Sequence, residues 1–540
     1  MSLNGLLQIG KSALMASQVA INTTSHNIAN VNTPGYNRQE VILSVAIPSP
    51  SGNGYVGNGV TVESIKSSYD QFLQAQLVSQ QQTYGRSDVL NQSMNQIQQI
   101  FNDAQGTGIS SYLTDYFNAW NQVSANPEGQ TERSLLLQKA DSLVRAMQQA
   151  ESAVSDVISN NNSSIDGTVT QINSLASNVA QLNDAIVRAE GGANSGSAND
   201  LRMQRDNVIN TLANLTELSY YTNPDGSVNI TVGTRNLVEG TKTNLLSSSM
   251  NNSGMRSLSL DNVDVTSLVT KGQLGGMLAA NTSIQSGPLF SLRRLAAALT
   301  NEVNLQHQSG FGLDGSNGNN FFNPLQLNLT ANSAGATIAG AITSPASLTL
   351  DEYTIQFDPT ATNYSVLDKQ TGATVATGAY SSGSPIAFNG IQVTITGAVT
   401  AKDTFTVSPL TDAVKNLSVA ITSTDKIAAS STLAGIPGDN VNASAMANLV
   451  NNPLMDLGNS SLSGYYGGIV SSAGSVSAAA SHTLKFDGSI LDQIRNNRES
   501  VSGVSLDEEA TNLIQFQRAY EAGAKIITVA NELMQTLMRM

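Results

Sequence analysis

Apolar and small residues recur at helical spacing at both ends of this chain. Leu3, Leu7, Gly10, Leu14, Ser17, Ile21, Thr24 and Ile28 follow alternating steps of four and three, and Leu513, Phe516, Tyr520, Gly523, Ile527, Ala530, Met534 and Leu537 follow steps of three and four. A repeat of about 3.5 residues makes a seam that has to be buried against another helix. The ends of a globular chain ordinarily fray, so seams at the ends predict termini built for pairing and assembly.

Between these stripes the pattern changes several times. The first helix is predicted over 2–30 and ends in Asn32-Thr33-Pro34-Gly35, where Pro34 and Gly35 suit the two central positions of a type II turn. An alternating stretch over 38–47 reads as a strand. A glycine-rich segment follows, and then a second strand through Val60, Val62 and Ile65. Helix dominates 69–190, broken at Asn126-Pro127. Its strongest seam runs Leu136, Ala140, Leu143, Met147, Ala150, Val154, Val157 and resumes at Ile172, Leu175, Val179, Leu182, Ile186. In the gap, Asn161, Ser164 and Thr168 beside Gly167 predict a bend, a break or a stutter. Tyr220 and Tyr221, then Asn223-Pro224-Asp225-Gly226, then Val228, Ile230 and Val232 spell a hairpin. Helix returns over 289–307. Residues 331–410 alternate at Tyr353, Ile355, Phe357 and at Ile391, Val393, Ile395, which predicts a small all-β insert bounded by Pro345 and Pro409. Helical composition resumes near Ala443 and over 487–497. The last helix opens at Ser505, which with Glu508 makes a capping box, while Asp507, Glu508 and Glu509 complement the helix dipole.

The fold class expected is mainly α with inserted β: an elongated multi-domain chain with terminal helices paired as a coiled coil, a helical rod and a distal all-β lobe. The expected divisions are 1–68 and 501–540 as the two parts of an inner coiled-coil domain, 69–330 as the rod with a hairpin region near 218–260, 331–412 as the insert, and 413–500 as the return segment completing the rod. An out-and-back path brings both termini to one end.

Composition narrows the function. Charged residues make up 12%, and 26 basic against 40 acidic residues give a net charge of −14. A polyanionic surface with no Lys/Arg cluster repels phosphate backbones, which argues against nucleic acid as a partner. The absence of cysteine excludes disulfides and thiolate chemistry. No stretch approaches the roughly 20 apolar residues of a membrane span, and Lys11 interrupts the first apolar pattern where a secretory h-region would lie. The chain reads as soluble, with no membrane partner, and as leaving the cell, if it does, without a cleaved signal.

No catalytic, cofactor-binding or metal-ligating set emerges. His26, His307 and His482 are far apart and lack metal-ligand spacing. The acidic run at Asp507 is explained by helix capping. The glycines between 52 and 59 are spaced for turns, not for a phosphate cradle, and no G-x-S-x-G elbow is present. A peptidoglycan hydrolase would need paired carboxylates in a cleft, and no segment suggests them. The reading is of a structural protein, not an enzyme.

The exit of the first helix is denser in asparagine than a plain loop requires. Asn27-Ile28-Ala29-Asn30, then Thr33-Pro34-Gly35-Tyr36 and Arg38, resembles the N-terminal signature of the flagellar axial proteins, the rod, hook and hook-associated family. Ser505-Leu506-Asp507-Glu508-Glu509-Ala510, continuing through Leu513-Ile514-Gln515-Phe516-Gln517, Ala519-Tyr520 and Ala524-Lys525, resembles that family's closing helix. Gly35-Tyr36-Asn37-Arg38-Gln39, Gly272-Gln273-Leu274-Gly275-Gly276-Met277-Leu278, and Asn304-Leu305-Gln306-His307 followed by Gly312-Leu313-Asp314-Gly315 and Phe321-Phe322 are similar to its hook-associated members.

The resemblance implies a secreted, extracellular structural protein of the bacterial flagellum, exported unfolded through the type III apparatus with a chaperone on its C-terminal helix. It implies a ring of copies at the hook–filament junction, between the hook protein and a second junction protein, that permits filament assembly and motility. Isolated terminal helices are marginal. They are therefore expected to order only on assembly, when intersubunit burial offsets the entropy of ordering. The competing class is a non-flagellar secreted surface or adhesin protein, which normally carries a signal peptide or anchor.

Overall fold

The computed structural model describes residues 3–51, 54–103, 106, 108–191, 198–251 and 254–539. Ten α-helices lie among them: α1 (Leu3–Ala29), α2 (Gln71–Ile100), α3 (Ile109–Ala125), α4 (Gln130–Glu190), α5 (Asn199–Leu215), α6 (Gly272–Ile284), α7 (Phe290–Gln308), α8 (Val441–Asn448), α9 (Leu462–Ser502) and α10 (Leu506–Arg539). Every strand pair in the sheets is antiparallel. The architecture is multi-domain, helical with several sheets. Two compact units are assembled from separated stretches, one from Met1–Leu90, Asn162–Ala279 and Ser481–Met540, the other from Asn91–Asn161 and Ala280–Ala480.

The first unit holds both ends of the chain. After α1, the strands Gln39–Val45 and Val60–Ser67 pair in a two-stranded ribbon with a register shift between Ile42 and Leu43. The turn before it has the predicted geometry: Tyr36 N–H donates to the Thr33 carbonyl at 3.1 Å, and Gly35 has φ +77°. Further along, Tyr220 pairs with Ile230 across a hairpin whose loop turns at Gly226, φ +85°, with Asp225 accepting from the Ser227 amide at 2.9 Å. The core beneath combines Ile172, Val179, Ile209 and Leu212 from helices with Ile230, Val232, Leu258 and Leu260 from two small sheets.

Of the bend, break or stutter expected in the long helix, a break does not occur, since α4 runs unbroken from Gln130 to Glu190. The buried seam passes through Val154 and Ile158 to Asn162, Ile165, Val169 and Ile172, and so avoids Ser164 and the exposed face of Gly167. The polar positions are satisfied sideways: Asn161 Nδ2 donates to Asn281 Oδ1 at 2.9 Å, and Asn162 Nδ2 to the Gly254 carbonyl at 3.1 Å. A side chain with its own partner has no need to break the backbone ladder.

The second unit has an aromatic core. Trp120, Tyr116, Phe117, Phe321 and Phe322 are all 2% exposed or less, with ring centroids 4.9–5.9 Å apart in the contacts linking them. His307 joins them at 1% exposure. Its Nδ1 donates to the Asn319 carbonyl at 2.7 Å and its Nε2 accepts the Ala428 amide at 3.0 Å, which fixes a neutral tautomer.

The insert starts earlier than expected, at Asn328–Asn332, and Pro345 lies inside it, in the 3-10 turn Pro345–Ser347. It consists of two sheets. One is ordered Asn328–Asn332, Thr404–Ser408, Tyr353–Phe357, Asn363–Asp368, Thr374–Ala379, and the other Ala336–Ile342, Ile391–Gly397, Pro385–Phe388. Their apolar faces meet, with Tyr353 edge-on to Phe388 at 5.0 Å.

Two helical expectations change. Helix α9 extends far upstream of 487, along a buried stripe of Leu462, Tyr466, Ile469, Ala473, Ser477 and Ala480. At the start of α10, Glu508 does not serve the capping box but reaches across to Arg38. No helix among the described residues is long and apolar enough to cross a membrane.

Candidate assembly site

Helices α1 and α10 pair antiparallel: Gly10 lies against Ile527, Leu14 against Gly523, and Asn27 against Glu509. The approach is close because the contact is made by small residues. A Cβ on Gly10 would sit 2.7 Å from Ile527 Cγ1 and 3.4 Å from the Gly523 carbonyl oxygen, and a Cβ on Gly523 would sit 3.4 Å from Leu14. The buried residues of α1 are Gly10, Ala16, Ser17, Ala20, Thr23, Thr24 and Asn27, and those of α10 are Glu509, Gly523 and Ala530. Thr23 can be buried because its hydroxyl donates to the Val19 carbonyl at 3.0 Å.

The helix exit locks this pair to the rest of the unit, and Asn27, 1% exposed, is its hub. Asn27 Nδ2 donates to the Gln39 carbonyl at 2.8 Å and to Glu509 Oε2 at 3.2 Å. Asn27 Oδ1 accepts the Gln39 amide at 3.0 Å and the Tyr36 hydroxyl at 2.8 Å. Two donors and two acceptor lone pairs are thereby all used. A single amide joins the end of α1, the turn, the ribbon and the start of α10. Asn30 caps the helix from outside, its Nδ2 donating to the His26 carbonyl at 3.0 Å while its Oδ1 accepts the Thr33 hydroxyl at 3.2 Å.

The turn is tied down on its other side. Asn207 donates to the Pro34 carbonyl at 3.4 Å, and its Oδ1 would lie 2.1 Å from a Cβ at Gly35, so this position admits glycine on both φ and space. Arg498 of α9 donates to the Gly35 carbonyl at 2.8 Å and to Asn37 Oδ1 at 2.9 Å. Arg38 donates its amide to the Ser502 carbonyl at 2.8 Å and its guanidinium to Glu508 at 2.9 Å. Tyr36 lies edge-on to His26 at 5.7 Å. Burial, reinforced by Asp200 and Glu509, pushes its hydroxyl pKa up, so it stays a donor. Burial also pushes the Asp206 carboxyl up to about 6, against the opposing pull of Arg205, Arg498 and Arg202.

The structure treats the predicted site residues in two ways. Asn27, Asn30, Thr33, Pro34, Gly35, Tyr36 and Arg38 fall in one connected network. Of the large seam residues, Leu3, Leu7, Leu14, Ile21, Ile28, Leu513, Phe516, Ile527 and Met534 are half-buried. Tyr520 and Leu537 remain exposed, at 40% and 68%. The glycines bring the backbones so near that large side chains flank the contact instead of filling it. Both terminal helices are formed and paired within one chain, where that small-residue contact gives each helix a buried stripe. Nothing local in the sequence marks Asn207 or Arg498, each on a helix, as a clamp for a turn far away in the chain.

Both ends of the chain match families of flagellar axial proteins. Residues 7–37 match the family described as flagella basal body rod protein, and residues 496–540 the flagellar basal body rod FlgEFG protein C-terminal family. These are structural proteins of the flagellar axis. Residues 94–322 match the flagellar hook-associated protein FlgK helical domain, and residues 327–409 the flagellar hook-associated protein 1, D2-like domain. Flagellar hook-associated protein 1 of Escherichia coli (strain K12) is 30% identical over 547 residues, covering 99% of each chain. The protein of the same name from Bacillus subtilis (strain 168) is 27% identical, covering 98% of this chain and 96% of its own. The solved structure of the flagellar hook junction protein FlgK from Burkholderia pseudomallei shares the fold, with a TM-score of 0.68 at 20% identity over 79% of this chain and 100% of that one. This chain belongs to the flagellar hook-associated protein 1 family and is a structural component of the bacterial flagellum.

Proposed function

We propose that copies of this chain form a ring at the junction between hook and filament, with the α1–α10 pair as the axial seam, and that the ring is the platform on which the filament assembles. The observation that carries this is the incomplete burial of α10. One stripe meets α1, while Ile514, Val529, Leu533 and Leu537 stay 44–68% exposed on the same helix. Exposed apolar side chains in such a row are a surface awaiting another chain. Leu3, Leu7, Leu14, Ile21 and Ile28, with Leu513, Phe516, Tyr520, Ile527, Met534 and Leu537, line the seam in the assembly. The inner domain is 1–68 with 501–540, the rod 69–330 completed by 413–500, and the insert 331–412. Its neighbours are the hook protein and a second junction protein. It reaches them by unfolded export to the cell exterior, with a chaperone covering the C-terminal helix beforehand.

Deleting the gene in its own host tests the role. The expected phenotype is non-motile cells whose hooks carry no filament, restored by a plasmid copy. Filamented, motile deletion cells would contradict it.

A further inference from the structure

The ribbon that follows α1 has an apolar face that its own chain covers only in part, with Val60 and Val62 half-buried and their partners exposed. Leu43 pairs with Val62 and Val45 with Val60, so the four side chains share one face. Leu43 is 45% exposed, Val45 82%, and Ile47, just past the strand, 86%. Tyr55 on the adjoining hairpin is 78% exposed. A two-stranded ribbon is marginal in water unless something packs on it. The ribbon is fixed on α1, where Gly59 lies against Ile9 and Ser12 and the Val60 amide donates to Ser12 Oγ at 3.3 Å. This partly covered face is therefore continuous with the α1–α10 pair.

We infer that this ribbon face receives the exposed stripe of α10 from a second copy of the chain. The inference rests on the ring reading and specifies its contact. The two surfaces are complementary in kind, a sheet face lacking a helix and an amphipathic helix lacking cover for its second stripe. They also match in length. Four strand steps from Leu43 to Ile47 span about 13 Å, and eight helical steps from Val529 to Leu537 about 12 Å. Two dissimilar surfaces on one unit make a head-to-tail contact, and a head-to-tail contact that closes gives a ring, whereas a self-complementary patch gives only a pair.

The lack of cysteine in the chain makes a direct test possible. One population carries Ile47→Cys and another Leu533→Cys. The two are co-expressed in the deletion host, and isolated hook–filament particles are oxidised with copper phenanthroline in air, which takes up the two electrons of each disulfide. The expected product is a cross-linked dimer containing one chain of each kind, absent when either variant is expressed alone. Val45→Cys with Leu537→Cys is the second pair and should behave alike. A dimer from Ile47→Cys alone would mean ribbon meets ribbon. A cross-link from Ile47→Cys, after a cysteine scan, to a hook or second-junction subunit would mean another occupant. Uncross-linked chains in particles that contain the protein would mean the surfaces do not meet. Each of these overturns the inference while leaving the junction role intact, whereas particles without the chain would fail both.

Discussion

Replacing Asn27 by alanine is expected to open the lock between the two ends of the chain. The substitution strands the Gln39 amide and carbonyl and removes the side-chain partner of Glu509, a carboxylate 2% exposed. Leaving a buried polar group unpaired costs about 1–3 kcal/mol, the upper end where the group is charged. A loss of about 3 kcal/mol is therefore expected in the local opening of α10, roughly a hundredfold in its opening equilibrium. Backbone hydrogen exchange over 27–39 and 506–539 reads this directly. Asn27→Asp is expected to be no milder despite its matching shape. It cannot donate to the Gln39 carbonyl or to Glu509, and it sets a second carboxylate beside the first. Exchange rates unchanged in both variants would remove Asn27 from the centre of the network.

The second large effect concerns pH and the second unit. Burial pushes His307 down to about 4, because protonating Nε2 would cost it the Ala428 amide and place a charge in an aromatic core. An unfolded histidine titrates near 6.5, so between pH 6.5 and 4 the unfolded chain takes up a proton that the folded one refuses. Stability is full above pH 6.5 and falls by about 3 kcal/mol as the pH drops to 4. Trp120 is the sole tryptophan and lies 6.4 Å from the His307 ring, so its fluorescence reports this unit. Urea midpoints followed by Trp120 should fall across that window. His307→Gln should lower the midpoint at neutral pH and flatten this part of the slope, with carboxylate titrations common to both proteins cancelling in the difference.

The elements legible in the sequence were those whose signal is local and made of large residues. The stripes of α1 and α10, the turn at Pro34-Gly35 and the hairpin at Asp225-Gly226 each carry their cue within a few residues. The role of Asn27 does not, because its partners are 12 and 482 positions away. What the sequence marks is a cluster of asparagines at a helix exit; which one saturates its hydrogen bonds depends on where α10 returns. Glu508 and Glu509 look locally like residues that complement a helix N-terminus for the same reason, since that is the local use of an acid and the contacts with Arg38 and Asn27 are distant ones. Helix α9 is not legible over 462–480 because its many glycines and serines are poor helix formers, although Leu462, Tyr466, Ile469 and Ala473 keep a helical period along the buried face. The first strand of the insert, Asn328–Asn332, offers one large aliphatic side chain, Leu329, and has its place through pairing with Thr404–Ser408.

The paired termini as the assembling part of the chain are the centre of the account, and Ile527 tests it most directly. Its side chain lies against Gly10, where a Cβ would come within 2.7 Å of Ile527 Cγ1. Ile527→Asp, expressed in the deletion host, should give protein whose second unit keeps its Trp120 fluorescence and urea midpoint, while electron micrographs show hooks without filaments. Normal filaments in the Ile527→Asp cells would contradict the assignment of the α1–α10 seam to assembly.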